Sequence, residues 1–238
     1  MDEYSIAVIT YVKNKYIYDE CLFYIKNLEV PKNMNLEILA ITEGNSVTEA
    51  YNKAMIIAKS KYKIYVDENA FITNKHIIKD IIEIFHKDKT IGIIGVEGRS
   101  FTSNYGVNLE ERFNIREKYI IEDGNIHLDS FGNPKNAYEE VETVSGMVIA
   151  TQYDIKWRED LFSDDYFYDE AQCMEFQRQK YKVVVIREEK PWGTFIKRKY
   201  KDDYYKYENI YLKEYSIMEE KRISLFFPQL EDQHLTKD

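Results

Sequence analysis

Strand-like and helix-like hydrophobic patterns alternate through the chain up to Val96. Runs rich in β-branched and aromatic residues predict strands, and apolar residues spaced three and four apart predict helices. Strands are predicted at Ser5–Tyr11, Leu36–Thr42, Tyr62–Val66 and Ile91–Val96, and helices at Tyr16–Asn27, from Ser46 to about Lys59, and from Asn74 to about Lys87. Repeated β-α units of this length require right-handed crossovers, so we predict an open, mostly parallel α/β sheet with flanking helices.

The pattern changes after Gly98. A loop over a cleft is predicted at Phe101–Glu117, and Asp123-Gly124-Asn125 predicts the turn of a small hairpin. The remaining predicted elements are the hairpin Tyr119–Phe131, strands at Val141–Thr151 and Lys182–Ile186, and helices at Asp169–Gln179 and about Asp203–Glu220. We predict one domain over residues 1–215, with halves at 1–98 and 99–215, followed by a tail at 216–238.

The charge of the chain narrows the choice of partners. The 238 residues carry a formal net charge of -9 and a pI of about 5.2, without a dominant basic patch. This argues against nucleic acid or an anionic membrane surface as the main partner. The run Lys197-Arg198-Lys199 with Lys201 is too short to reverse the balance. It is either a solvated face or a phosphate-contacting loop.

Cysteine content and hydropathy indicate the cellular setting. Cys21 and Cys173 lie far apart in predicted helices, which favours buried thiols over a disulfide framework. The apolar run Ile6–Thr10 is too short for a signal peptide, and no stretch approaches the roughly 20 apolar residues of a membrane span. We therefore expect a cytoplasmic protein without a membrane span.

Two common phosphate-binding sites and one type of metal site are excluded by the sequence. The residues that follow the first strand, Thr10–Asn14, contain no glycine, whereas a dinucleotide-binding fingerprint or a P-loop needs glycines for close phosphate approach. The 4 His residues show no regular spacing. A His-built metal site is therefore not expected.

Polar residues follow the predicted parallel strands where ligands bind in such sheets, at their C-terminal ends. Candidates are Thr10 and Tyr11 after the first strand, Glu43 after the second, Asp67-Glu68-Asn69 after the third, and Asn52 in the second helix. Carboxylates at this edge can hold a divalent cation against a phosphate. Asn69 stands where a second carboxylate would complete a D-x-D metal clamp.

Several of these segments, taken in order, resemble a known family. Lys61–Ile72 (KYKIYVDENAFI), Ala50–Ala54 with its Tyr-Asn pair, Ile91–Gly98, Val141–Asp154 and Phe167–Val185 are similar to family 2 glycosyltransferases of the GT-A fold. The best match is a bacterial subgroup related to the streptomycin-biosynthesis protein StrF. The resemblance covers roughly Ile6 to Trp192. It implies a GT-A fold with a nucleotide-binding half and an acceptor half.

The resemblance also implies an activity and a set of roles. A sugar would pass, with inversion, from a nucleotide-sugar donor of the UDP type or a related one to a hydroxyl of an unknown glycan, protein or small-molecule acceptor. The nucleoside would lie against Thr10, Tyr11, Glu43 and Asn52. Asp67 would contact ribose or metal, and Asn69 stands at the position of the metal-binding Asp.

Asp169 matches the position of the catalytic base, which would deprotonate the acceptor hydroxyl. Two alternatives remain open: Asp169 caps the helix that follows, or Glu170 is the base. Trp157 and Trp192 either stack on sugar faces or belong to the core.

The chain departs from the family pattern at four places in the cleft. Asn69 and Ser145 replace carboxylates, Tyr166 replaces a His, and Gly193–Phe195 stand where a metal-binding His follows Trp192. We therefore expect weak, donor-dependent binding of Mg²⁺ or Mn²⁺. The alternative function is a non-catalytic nucleotide-binding or interaction module on the same fold. A nucleotidyltransferase would need two metal-binding acids, so Asn69 speaks against it.

Overall fold

A computed structural model describes residues 2–99, 113–198 and 203–226, with side chains described up to Tyr215. The chain forms two compact units, Met1–Lys199 and Tyr200–Asp238. The second unit contains one described helix, Tyr204–Phe226, which runs further than predicted. Most of the predicted loop Phe101–Glu117, and the tail after Phe226, lie outside the described residues. Within the described part, no helix is both long and apolar enough to cross a membrane.

The first unit is built on a seven-stranded sheet with the order β2-β1-β3-β11-β5-β12-β9. Its strands are β1 (Asp2–Tyr11), β2 (Asn35–Ile41), β3 (Ser60–Val66), β5 (Ile91–Gly95), β9 (Tyr138–Glu140), β11 (Val148–Thr151) and β12 (Lys182–Ile186). β2, β1, β3, β5 and β12 run in one direction, and β11 and β9 run in the other. The predicted α/β class with a mostly parallel sheet is confirmed, although the antiparallel strand β11 separates β3 from β5.

Four helices cover the two faces of this sheet. They are α1 (Lys15–Lys26), α2 (Val47–Ile57), α3 (Ile77–Lys87) and α4 (Tyr168–Arg178). Alternate residues of β1 point to opposite faces, so Ile6 and Val8 join one buried cluster with apolar residues of α1 and α3. α2 and α4 contact the sheet outside that cluster. Both faces are therefore buried, which explains the nearly continuous hydrophobic strands.

A second, four-stranded sheet has the order β4-β13-β7-β8 and adjoins the C-terminal end of β3. It comprises β4 (Ala70–Ile72), β7 (Arg116–Glu122), β8 (Asn125–Phe131) and β13 (Gly193–Ile196). The predicted hairpin is confirmed as β7–β8, with positive φ at Asp123 and Gly124 as its two-residue turn requires. The short strands β4 and β13 were not predicted. A two-stranded pair, β6 (Gly98–Arg99) with β10 (Thr143–Val144), also belongs to the described part of the first unit.

One predicted strand is wrong, because the structure divides it into two strands. Val141–Thr151 is not continuous, because β10 ends at Val144 and β11 begins at Val148. In the turn between them, the Gly146 N–H donates a hydrogen bond to Asp169 Oδ2 at 2.7 Å. A Cβ on Gly146 would lie 2.1 Å from the Tyr168 hydroxyl, so only glycine fits there without rearrangement.

Local signals at the helix ends are largely confirmed. Ser46 caps α2, its hydroxyl accepting from the Glu49 N–H at 3.1 Å, as in a capping box. The Glu49 carboxylate reaches back one residue further than the motif predicts, to the Asn45 N–H at 2.8 Å.

Cys21 and Cys173 are buried, free thiols, as predicted.

Glu188, two residues after the C-terminal end of β12, is a buried carboxyl group that is not among the predicted site residues. Its Oε2 accepts from Asn74 Nδ2 at 2.8 Å, and Asn133 Nδ2 donates to its backbone carbonyl at 2.8 Å. Burial raises the pKa of Glu188 to about 7. The folded state therefore keeps a proton that the unfolded chain releases near its ordinary value of 4.5.

We expect this group to make stability fall as pH rises. Above the unfolded pKa the unfolded chain gains by ionising, so stability is lost progressively between about pH 4.5 and 7, by about 3 kcal/mol in all. Glu188→Gln should remove this loss and raise the unfolding free energy at pH 8, measured by urea denaturation across pH. The exposed neighbour provides the control Glu189→Gln, which should leave the profile unchanged. Parallel profiles for Glu188→Gln and wild type would contradict the assignment.

Candidate functional site

The three residues after β3 point in three directions. Glu68 turns under the chain, where its Oε2 accepts from the backbone N–H groups of Lys13 and Asn14 at 2.8 and 2.9 Å. Glu68 therefore faces away from Asp67 and Asn69. Since Asn14 is the N-cap of α1, the buried Glu68 carboxylate fixes the end of β1 against the end of β3.

Asp67 forms an ion pair with a residue that the sequence did not single out as a ligand. Arg198 Nη2 lies 2.5 Å from Oδ1 and 2.6 Å from Oδ2 of Asp67. Asn69 supports the same carboxylate, since its backbone N–H and its Nδ2 both donate to Asp67 Oδ1, at 2.8 and 2.9 Å. Asp67 is thus surrounded by donors.

Two further charged residues complete what we call the Asp67 cluster: Lys13, Asp67, Asp165 and Arg198. Arg198 Nη1 lies 3.5 Å from Asp165 Oδ2, and Lys13 Nζ pairs with Asp165 Oδ1. Burial acts to lower the pKa of Arg198, but the carboxylates of Asp67 and Asp165 outweigh it and raise that pKa above its ordinary value. The four side chains carry two positive and two negative charges.

The predicted metal ligands do not fit a divalent ion in this arrangement. Both oxygens of Asp67 are engaged by Arg198, and Asn69 points its amide nitrogen, a donor, at the same carboxylate. At an effective dielectric of 20, a divalent ion about 4 Å from Asp67 gains roughly 8 kcal/mol, and repulsion from a guanidinium about 5 Å away cancels roughly 7 kcal/mol of that gain. Among the described residues, no three His, Cys, Asp or Glu side chains form a metal-ligating group.

Asp169 lies in the first turn of α4, as predicted, and is buried. Its Oδ2 accepts from the Gly146 N–H at 2.7 Å, and its Oδ1 from the Glu170 N–H at 3.1 Å. The residue after Gly146 accepts the Asp67 N–H at its carbonyl, Met147 O, at 3.0 Å. The turn between β10 and β11 therefore links the donor-side carboxylate to the predicted base through adjacent residues.

An aromatic layer borders both carboxylates. Tyr51, Tyr65, Trp157 and Tyr168 are buried together, and the Trp157 ring centroid lies 5.0 Å from those of Tyr51 and Tyr65. Burial raises the pKa of Tyr168 well above its ordinary value, with Asp169 and Asp67 adding to the effect. Trp157 and Trp192 are both core residues, which settles the alternatives left open for them.

The residues predicted to hold the nucleoside are not equally placed. Tyr11 donates its hydroxyl proton to Gly44 O at 2.7 Å and so ties the end of β1 to the loop before α2. Glu43, in that loop, is exposed. The Thr10 hydroxyl is buried away from solvent and makes no hydrogen bond within the described part of the chain.

Asn52 serves the framework in this structure. Its Nδ2 donates to Trp157 O at 3.0 Å and to Glu159 Oε2 at 3.0 Å, and its Oδ1 accepts from the Trp157 N–H at 2.9 Å. The amide thus pairs with both backbone groups of Trp157. Ligand contact at Asn52 stays a prediction that these contacts do not favour.

Sequence reasoning missed Lys13, Asp165 and Arg198 as site residues. The one available signal was the basic run from Lys197, for which a solvated face was an open interpretation. Arg198 is more than a solvated cation, because its guanidinium binds Asp67. Lys197 pairs instead with Glu122, at 3.1 Å.

Comparisons with known proteins agree with the fold. Residues 7–215 match the model of a family described as "Glycosyltransferase like family". No curated protein matches the chain. The family match confirms the predicted GT-A glycosyltransferase fold at the level of the family.

Solved structures similar to the chain share little sequence with it. S. aureus TarS 1-349 in complex with UDP-GlcNAc is 16% identical over 84% of this chain and 60% of that chain, with a TM-score of 0.50. The same TarS fragment without a named ligand is 17% identical over 81% and 60%, with a TM-score of 0.48. The mannosyltransferase PcManGT from Pyrobaculum calidifontis, in complex with GDP-Man and Mn²⁺, is 13% identical over 86% and 60%, with a TM-score of 0.47. The chain thus spans about 60% of the length of each of these structures.

Asn52→Ala tests the framework role. The change leaves the buried N–H and carbonyl of Trp157 without their partner, so we expect a loss of about 1–3 kcal/mol in unfolding free energy, measured by urea denaturation. Asn45→Ala removes an exposed amide from the same region and should cost less than about 1 kcal/mol. Unchanged stability of Asn52→Ala would contradict the framework role and favour a ligand contact.

Proposed function

This chain belongs to the glycosyltransferase-like family, and we propose that it transfers a sugar from a nucleotide-sugar donor to an acceptor hydroxyl. The observation that carries the proposal is the meeting of the Asp67 cluster and Asp169 at the turn between β10 and β11. Two cations suited to a diphosphate and a positioned carboxylate then lie at the C-terminal end of β3, where parallel sheets bind ligands.

Asp169 is the proposed base. An acceptor hydroxyl is a poor nucleophile, and a positioned carboxylate that takes its proton contributes about 10²- to 10⁴-fold in rate. The backbone N–H groups of Gly146 and Glu170 donate to the two oxygens of Asp169 and hold the carboxylate in place. Attack from the side opposite the departing nucleoside diphosphate would invert the anomeric centre.

The proposal also names the subgroup of the family, the class of donor and the class of acceptor. We place the chain with the StrF-related subgroup on the motifs given above, and we propose a UDP sugar or a related donor. The acceptor is a glycan, a protein or a small molecule. Residues 1–98 would then carry most of the donor contacts and residues 99–215 the acceptor contacts.

A donor panel tests the activity. The purified protein is incubated with UDP-, GDP- and dTDP-sugars, with and without Mn²⁺, and release of the nucleoside diphosphate is followed by mass spectrometry. Turnover of at least one donor is expected. If a nucleotide binds by calorimetry but no donor turns over, the non-catalytic alternative is favoured instead.

Asp169→Asn should lower turnover by about 10²- to 10⁴-fold, because the amide cannot accept the proton. The Asn Oδ1 can still accept the Gly146 N–H, so nucleoside diphosphate binding should stay close to wild type. The Glu170 N–H loses its acceptor, so the thermal melting point should fall. Rates are measured with whichever donor turns over.

Two variants make the result specific to Asp169. Asp19→Asn changes an exposed carboxylate that pairs with Lys15, and it should leave the rate unchanged. Glu170→Gln tests the other candidate base. A large loss in Glu170→Gln combined with normal turnover in Asp169→Asn would transfer the role to Glu170.

A further inference from the structure

We infer that Arg198 takes the place of a divalent cation: its guanidinium binds the diphosphate of the donor, and Asp67 positions it. This inference rests on the proposed function and names how that site recognises the charged part of its ligand. It follows from the misfit between the predicted metal ligands and the observed contacts. A metal ion at Asp67 would have to displace a guanidinium bound to both carboxylate oxygens.

Asn69 suits a guanidinium better than it suits a metal ion. Its side-chain N–H donates to Asp67 Oδ1 at 2.9 Å, which an aspartate at this position could not do. A second carboxylate here would repel Asp67 and attract a divalent ion. Asn69 and Arg198 therefore form a matched pair, in which the amide holds Asp67 in the position that receives the arginine.

The guanidinium has donors to spare for a ligand. Nη2 alone makes both hydrogen bonds to Asp67, and Nη1 lies 3.5 Å from Asp165. Within the described residues, Nε carries no hydrogen bond to protein. The Arg198 side chain is 34% exposed, so a ligand can reach it. The planar fork of arginine matches the geometry of phosphate oxygens.

A second cation stands on the other side of Asp165. The Lys13 side chain pairs with Asp165 and is 39% exposed. Lys13 and Arg198 together offer two positive charges to a diphosphate, and their carboxylate partners hold them in place. The ligand class that this arrangement recognises is a nucleoside diphosphate.

The backbone just before Arg198 is held in place by hydrogen bonds to neighbouring strands and turns. Ile196 N–H donates to Asn69 O at 3.0 Å, and Lys197 N–H donates to Ile121 O at 2.9 Å. β13 also approaches β4 so closely that a Cβ on Gly193 would lie 2.4 Å from Phe71 O. Arg198 follows directly on this anchored strand, so its position is set before a ligand arrives.

The test is isothermal calorimetry with UDP, GDP and dTDP, each in EDTA and in Mn²⁺. Wild-type protein should bind at least one of them with equal affinity in both conditions, within about twofold. Arg198→Ala should weaken binding in EDTA by about 10- to 100-fold, as expected for the loss of a charge-assisted hydrogen bond to phosphate. Arg198→Lys keeps the charge but not the planar guanidinium. Its affinity for the nucleotides should lie between those of wild type and Arg198→Ala.

Two further variants sharpen the result. Lys197→Ala is the matched control, because Lys197 is the adjacent cation but pairs with Glu122. This variant should bind the nucleotides with wild-type affinity. The double variant Arg198→Ala with Asn69→Asp should recover binding only in Mn²⁺, since it restores the second carboxylate and removes the competing guanidinium. Thermal melts confirm that each variant is folded.

The outcomes separate this inference from the proposed function. Binding that requires Mn²⁺ in wild type, or that is unchanged or tighter in Arg198→Ala, overturns the role of Arg198 and leaves the glycosyltransferase proposal intact. If none of the three nucleotides binds wild-type protein in either condition, both proposals fall.

Discussion

The ion pair between Asp67 and Arg198 joins two parts of the first unit that are far apart in sequence. Asp67 ends the central strand β3, and Arg198 follows β13 in the second sheet, 131 residues later. The turn through Asn69 that leads from β3 into β4 also receives the N–H of Ile196 from β13. One short backbone segment therefore fixes both partners, and the position of the guanidinium depends on how the small sheet is registered against the large one.

The surroundings of this pair make it difficult to change one partner alone. The Asp67 side chain is only 11% exposed, and it receives hydrogen bonds from Asn69 as well as Arg198. Removing one member of such a pair leaves a charge in a poorly solvated place, which costs more than the pair itself contributes. Glu68 acts in the same region but on the framework, where it binds the backbone at the start of α1. Adjacent acidic residues thus serve a charge cluster and a helix end.

The sequence predicted the features that local periodicity and turn chemistry determine. The strands and helices predicted up to Val96 and the hairpin turn at Asp123-Gly124 depend on neighbouring residues, and they are confirmed. The family resemblance led to the fold for the same reason, since it follows motifs in their order along the chain.

What escaped prediction depends on contacts between distant segments. Strand β13 is four residues long and lies next to a proline-containing turn, so its hydrophobic pattern carries little signal, and its register is what brings Arg198 to Asp67. The break at Gly146 interrupts a run that reads as one apolar strand, because the competing partner, Asp169, comes from α4. Asn52 was predicted to contact the nucleoside, yet both ends of its amide pair with the backbone of Trp157.

The departures from the family pattern gain a common physical reason once Arg198 is the cation of the site. A divalent ion brings two positive charges and is usually held by one or two carboxylates together with substrate phosphates, whereas a guanidinium brings one charge and is balanced by a single carboxylate. In the Asp67 cluster, two carboxylates already balance Lys13 and Arg198. A further carboxylate at Asn69 would leave the cluster negative and would repel an incoming diphosphate. The amide at position 69 and the arginine at position 198 therefore suit each other electrostatically, and either one would be less favourable without the other.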